Sequence, residues 1–143
     1  MGMVHALSEI RHVLVPGGLL IDIRPLANRW PIQVGSVHSL QETGRVDDLP
    51  LQVEGDMAAN ETMREVESRG WFEREQEAFF PFFYSWDTPS EMEEFIAEDW
   101  SDFIELNETA KRATRSAWAS AEAEARVQVR VQILITRWRV RKD

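Results

Sequence analysis

The sequence predicts an α/β domain: helices packed on a partial sheet of three main strands of mixed direction, with an added hairpin or lid. Three observations carry that expectation. Apolar residues at helical spacing run into Pro16-Gly17-Gly18 and then into the continuous apolar stretch Leu19-Leu20-Ile21-Asp22-Ile23. Val127, Val129, Val131, Ile133 and Ile135 alternate strictly near the other end of the chain, as in a half-buried strand. Between them, three helix starts are marked by capping residues.

Taken in order, the first helix covers about His5 to Leu14, with Ala6, Ile10, Val13 and Leu14 on its apolar side, and the Pro-Gly-Gly turn stops it. The apolar run at 19–23 then reads as a parallel strand covered on both faces. From Pro31 to Val53, β-formers alternate with turn residues around Gly35, Gly44 and Pro50, which predicts the hairpin or lid. Asp56 is positioned to cap a helix that carries Ala59, Met63 and Val66 and ends at Gly70. A strand follows over Trp71 to Trp86, and Pro81 confines it to a sheet edge or a bulge because proline cannot donate to a central ladder. Thr88, Pro89 and Glu91 make a capping box with proline at the first helical position. Asn107 caps a longer helix through Ala110, Ala113, Ala117 and Ala121, and the alternating strand closes the order. No repeat or linker divides these 143 residues, so a single domain, residues 1–143, is expected.

Composition narrows the function classes. With 43% hydrophobic and 29% charged residues the chain has the balance of a soluble globular protein. No cysteine is present, which rules out disulfides, zinc-thiolate sites, iron-sulfur clusters and thiol nucleophiles. The first residues lack the basic and apolar regions of a leader, and no segment reaches the length of a membrane span, so a cytoplasmic setting is expected. A net charge of −9 opposes phosphate backbones. Only Arg130, Arg137, Arg139, Arg141 and Lys142 form a basic cluster, and pairing with acidic helices of the same fold is the simpler account of it.

The stretch LSEIRHVLVPGGLLIDIRP, residues 7 to 25, resembles the helix and fifth strand of class I S-adenosylmethionine-dependent methyltransferases, where an RxxLxPGG-like turn feeds an apolar strand. The later segment GWFEREQEAFFPFFYSWDTPSEMEEFIAEDWSDF resembles the C-terminal region of bacterial members of that superfamily. The resemblance implies a partial Rossmann-like methyltransferase sheet in which the last strand inserts beside the first, with an edge strand beyond it. It also implies that the cofactor is held by a portion this chain does not match. The family's glycine-rich loop follows a strand, whereas Gly17-Gly18 follows a helix. No cofactor is therefore expected to bind this chain alone, and S-adenosylmethionine belongs to the parent family. The implied partner is a second copy meeting the edge of the 19–23 strand, or a separate N-terminal half.

Few side chains point to chemistry. His5, His12 and His38 lack the convergent carboxylates of a metal site, and His5 and His12 stand two helical turns apart. Glu98, Asp99, Asp102 and Glu105 offer paired carboxylates in principle, but a solvated acidic helix end is the plainer account of them. Glu73, Glu75 and Glu77 fit the solvent face of an edge strand. Phe79, Phe80, Phe82, Phe83, Tyr84 and Trp86 are dense enough to line an acceptor site, with burial against helices as the plainer expectation. Asp22 and Arg24 fall at the strand end where open α/β sheets bind ligands, or else pair locally with each other. With Trp30 and Tyr84 they are the substrate-facing candidates; no catalytic residue is assigned. The two functions expected are a methyltransferase-like domain inactive by itself and a non-enzymatic dimerisation or small-ligand-binding module.

Overall fold

A computed structural model describes residues 2–142. In chain order the elements are α1 (Gly2–Val13), β1 (Leu19–Pro25), β2 (Pro31–Ser36), β3 (Ser39–Arg45), β4 (Asp47–Asp48), α2 (Pro50–Ser68), β5 (Phe72–Trp86), α3 (Pro89–Phe95), a π-helical turn (Ile96–Trp100), β6 (Ile104–Glu105), α4 (Glu108–Ala119) and β7 (Arg126–Val140). The fold is α/β, and five strands form an antiparallel sheet in which β7 pairs with β1, β2 and β5. Contacts group the residues into two compact units. One comprises the chain up to Pro25, Glu54–Phe80 and the chain from Ile133; the other comprises Leu26–Val53 and Pro81–Gln132.

In the first unit, Leu7 and Ile10 of α1 and Leu14 just after it pack with Leu20 and Trp71 against a core of Met63, Val66, Phe72, Trp138 and Val140. The Pro-Gly-Gly turn is tied down from both sides. Gly17 takes the left-handed conformation (φ 77°) that glycine tolerates without a Cβ clash. The Gly17 and Gly18 amides donate to Val140 O at 3.3 Å and Val15 O at 2.9 Å, and the Val140 amide returns a bond to Gly18 O at 2.8 Å. From there β1 runs antiparallel to β7, from Leu19 opposite Arg139 to Pro25 opposite Ile133.

Two expectations for β1 need correction. The sheet is antiparallel rather than mixed, and β1 is not covered on both faces. Leu20, Asp22 and Arg24 are half-buried on the side of α1 and α2, whereas Leu19, Ile21 and Ile23 are 44%, 47% and 59% exposed. An apolar run looks the same in sequence whether one face or two are covered; the helices here cover one.

Helix α2 begins at Pro50, not at Asp56. Proline at a first helical position suits the missing amide, and Asp48 Oδ1 accepts from Gln52 Nε2 at 3.1 Å beside that start, leaving Asp56 inside the helix. Arg137, Arg139 and Arg141, at and just beyond the end of β7, pair with strand β5 rather than with acidic helices. Glu75 holds both Arg139, at 2.5 Å, and Arg137, at 3.2 Å, and Glu73 holds Arg141. Alternation places these glutamates on one face of β5, so antiparallel pairing sets them against every second residue of β7.

In the second unit, β2 and β3 form the expected hairpin, with Val37-His38 as the connection between the paired Ser36 and Ser39. Gly35 is required there: a Cβ at this position would lie 1.8 Å from Ser39 O. Ile32 to Gly35 pair with Val129 to Arg126 of β7. Helix α4 packs on the hairpin through the buried Thr114, whose hydroxyl donates to Ala110 O at 2.7 Å and sits 2.7 Å from the Thr43 hydroxyl. The other two predicted caps, Thr88 and Asn107, are present. Thr88 Oγ1 accepts from Glu91 N at 3.2 Å while the Glu91 carboxylate accepts from Asp87 N at 3.1 Å, and Asn107 Oδ1 accepts from Ala110 N at 2.8 Å. The core is Trp30, Ile32, Val34, Val46, Met92, Ile96, Ile104, Val127, Val129 and Val131.

Candidate functional site

The four side chains singled out from sequence fall into two groups, one in each unit. Asp22 and Arg24 lie two residues apart on β1, on the strand face that turns toward α1 and α2. Arg24 Nε donates to Asp22 Oδ2 at 3.2 Å, and Arg24 Nη2 donates to Asn60 Oδ1 of α2 at 3.1 Å. The two side chains are 18% and 17% exposed, so the ion pair is largely withdrawn from water. Arg24 Nη1 is buried and has no hydrogen-bond partner, a state it shares with Trp138 Nε1. Local pairing is thus present, and it leaves part of the guanidinium unused.

Beside this pair is a surface cavity of about 240 Å³, lined by Met3, Ala6, Leu7 and Ile10 of α1, Ala59, Thr62 and Met63 of α2, and Asp22 and Arg24. Its wall is apolar apart from the ion pair and the Thr62 hydroxyl, and that hydroxyl already donates to Ala58 O at 2.8 Å. An apolar hollow with a few placed polar groups is the usual form of a small-molecule site. Sequence reasoning found Asp22 and Arg24 but missed Asn60 and the opposing helix faces. Ala59 and Met63 were legible as one face of a helix; that this face looks onto Arg24 was not.

Trp30 and Tyr84 meet through a residue the sequence reading passed over. Trp100, at the end of the π-helical turn, contacts Trp30 edge-on at 5.4 Å between centroids and Tyr84 edge-on at 4.9 Å. Phe95 adds a ring 5.1 Å from Trp100, and Trp86 stacks on Tyr84 at 6.4 Å. The π-turn brings Phe95 and Trp100 to the same cluster; such turns recur at functional sites. Trp30 is 5% exposed, and its indole Nε1 donates to Leu26 O at 2.7 Å, so it is a packing residue whose polar atom is satisfied. The expected burial of the aromatic stretch does not hold. Phe79, Phe80, Phe82 and Phe83 are 40–55% exposed and Tyr84 36%. Phe95 and Trp100 contact Tyr84, the least exposed of these five.

Other candidates carry no site geometry. Glu98, Asp99, Asp102 and Glu105 are exposed. Among the described residues no three histidine or acidic side chains converge to hold a metal ion. His5 faces Glu9 at 4.0 Å along α1, and no described helix is long and apolar enough to cross a membrane. A well-organised charge cluster is Glu75 between Arg139 and Arg137. The Arg139 hydrogen bonds hold its carboxyl below the usual glutamate range, aided by the charges of both arginines.

Comparison with protein-family models, with curated proteins and with solved structures gives no match for this chain.

Proposed function

We propose that this chain is a methyltransferase-like domain that does not by itself transfer a methyl group from S-adenosylmethionine. The observation that supports the reading is strand placement around the Pro-Gly-Gly turn. The strand that follows the turn and the edge strand β5 both pair with the last strand, β7, as the resemblance of residues 7–25 implies. Ancestry of that kind does not carry activity with it. In the parent family the cofactor is held by a glycine-rich loop after the first strand, an acid after the second and residues near the fourth, and no segment of this chain resembles those. A cytoplasmic setting and a partner at β1, either a second copy or a cofactor-holding half, belong to the same reading. Calorimetric titration of the whole chain with S-adenosylmethionine and with its demethylated product is the test. No heat of binding is expected, and micromolar affinity for either would overturn it.

A second reading, a non-enzymatic small-ligand-binding module, is favoured by one observation: the apolar cavity whose wall contains the Asp22–Arg24 pair and the unpartnered Arg24 Nη1.

A further inference from the structure

We infer that the cavity between α1, α2 and β1 binds a small, uncharged, largely apolar molecule carrying one oxygen acceptor, a ketone or a similar carbonyl, which Arg24 Nη1 engages. The inference rests on the ligand-binding reading and is independent of methyltransferase descent.

The polar part follows from the hydrogen-bond inventory of Arg24. A guanidinium has five N–H donors and no acceptor. Nε is used by Asp22 and Nη2 by Asn60, while Nη1 is shielded from solvent without a partner. A buried donor left unpaired is unfavourable, and Arg24 lies in the cavity wall, so an occupant whose acceptor reaches Nη1 relieves that cost. Among the described residues of the wall no other side chain competes for the acceptor, since the Thr62 hydroxyl is committed to Ala58 O.

The charge of the ligand follows from Asp22. Its carboxylate already neutralises Arg24 at 3.2 Å, so an anionic ligand would meet a second carboxylate in a partly desolvated site. A neutral acceptor takes the Nη1 bond without that repulsion. Size follows from volume: a cavity of about 150 Å³ accommodates benzene, so about 240 Å³ accepts on the order of ten non-hydrogen atoms. Met3 and Met63 supply adaptable walls, as methionine does at binding surfaces.

The test titrates the whole chain with three probes of one shape, namely indanone, its hydrocarbon parent indane, and indane carboxylate. Binding is followed by NMR at the methyl groups of Met3, Ala6, Ala59 and Met63. Indanone is expected to shift these methyls and to bind about tenfold more tightly than indane, as one hydrogen bond to a charged donor warrants. Indane carboxylate is expected to bind more weakly than indanone. Arg24→Met should abolish the preference for the ketone while keeping hydrocarbon binding. Ala59→Leu, which fills the cavity and leaves Arg24 in place, should abolish binding of all three, and it serves alone if Arg24→Met fails to fold. Equal affinity for indanone and indane, or tighter binding of the carboxylate, overturns the ligand class but leaves a binding module. No shift at any of the four methyls in the folded wild-type chain overturns the site and the binding reading together.

Discussion

The two compact units differ in how completely their sheets are covered. In the second, the β2–β3 hairpin lies under α4, and Ile32, Val46, Val127 and Val129 are wholly buried. In the first, α1 and α2 cover one face of β1 and β7. The other face shows Leu19, Ile21 and Ile23 on β1 beside the Arg137, Arg139 and Glu75 ladder. The second unit exposes aromatic side chains of β5, Phe82 and Phe83 among them, whereas the first keeps an aliphatic stripe and a hollow in contact with solvent. Apolar surface marks where a molecule meets something else, and in the first unit the stripe and the hollow are where to seek binding and association.

The largest effect that probes this contrast is a cavity in each core. Phe72→Ala removes a side chain that is 1% exposed in the first unit, and a loss of about 3–5 kcal/mol is expected. Ile104→Ala does the same in the second unit for about 2–5 kcal/mol. Amide exchange should separate them, with Phe72→Ala accelerating exchange in α1 and β1 while Val127 and Val129 keep their protection. Uniform loss of protection throughout would show that the units unfold as one and remove the energetic basis of the comparison.

A smaller effect concerns association. The aliphatic stripe on β1 predicts twice the chain mass by light scattering at micromolar concentration, and Ile23→Glu, at a position 59% exposed, should return the monomer without altering the circular dichroism. A monomeric wild-type chain would sink the second-copy reading and leave β1 to a different partner.

The smallest effect is electrostatic. Arg139 keeps the Glu75 carboxyl below its ordinary value of 4.5, so the folded state gains from ionised Glu75 at pH above that value and loses the gain as pH falls through the lowered one. Glu75→Gln should therefore lower Tm slightly at neutral pH, by no more than about 2 °C for an exposed pair. The difference from wild type should vanish in acid. A gap that widens on acidification would reverse the assigned sign.

Much of the element order was legible because its signals are local. Pro16-Gly17-Gly18, the Thr88 box and the Asn107 cap each act within a few residues, and each stands where the sequence placed it. The start of α2 was misplaced because Asp56 outweighed Pro50, although proline at a first helical position is an equally local rule. Burial was the harder property. Leu19, Ile21 and Ile23 read as buried, and so did Phe79 to Tyr84, because apolar character tells what a side chain favours and not which element lies over it. Of the candidate site, Asp22 and Arg24 followed from strand position. Asn60 and the hub role of Trp100 depend on which helix face, or which π-turn, arrives opposite, and no nearby residue encodes that.

The placement of β7 has a consequence for how the chain comes to fold. It is the shared partner of β1, β2 and β5, yet it is synthesised after all of them. During translation Leu19 must wait for Arg139, and the aromatic strand around Phe80 must wait for the same segment, so the sheet closes late through contacts distant in sequence. Until then the nascent chain carries unpaired, sticky strands, and its yield in the cell should depend on holdase chaperones more than its finished stability would suggest.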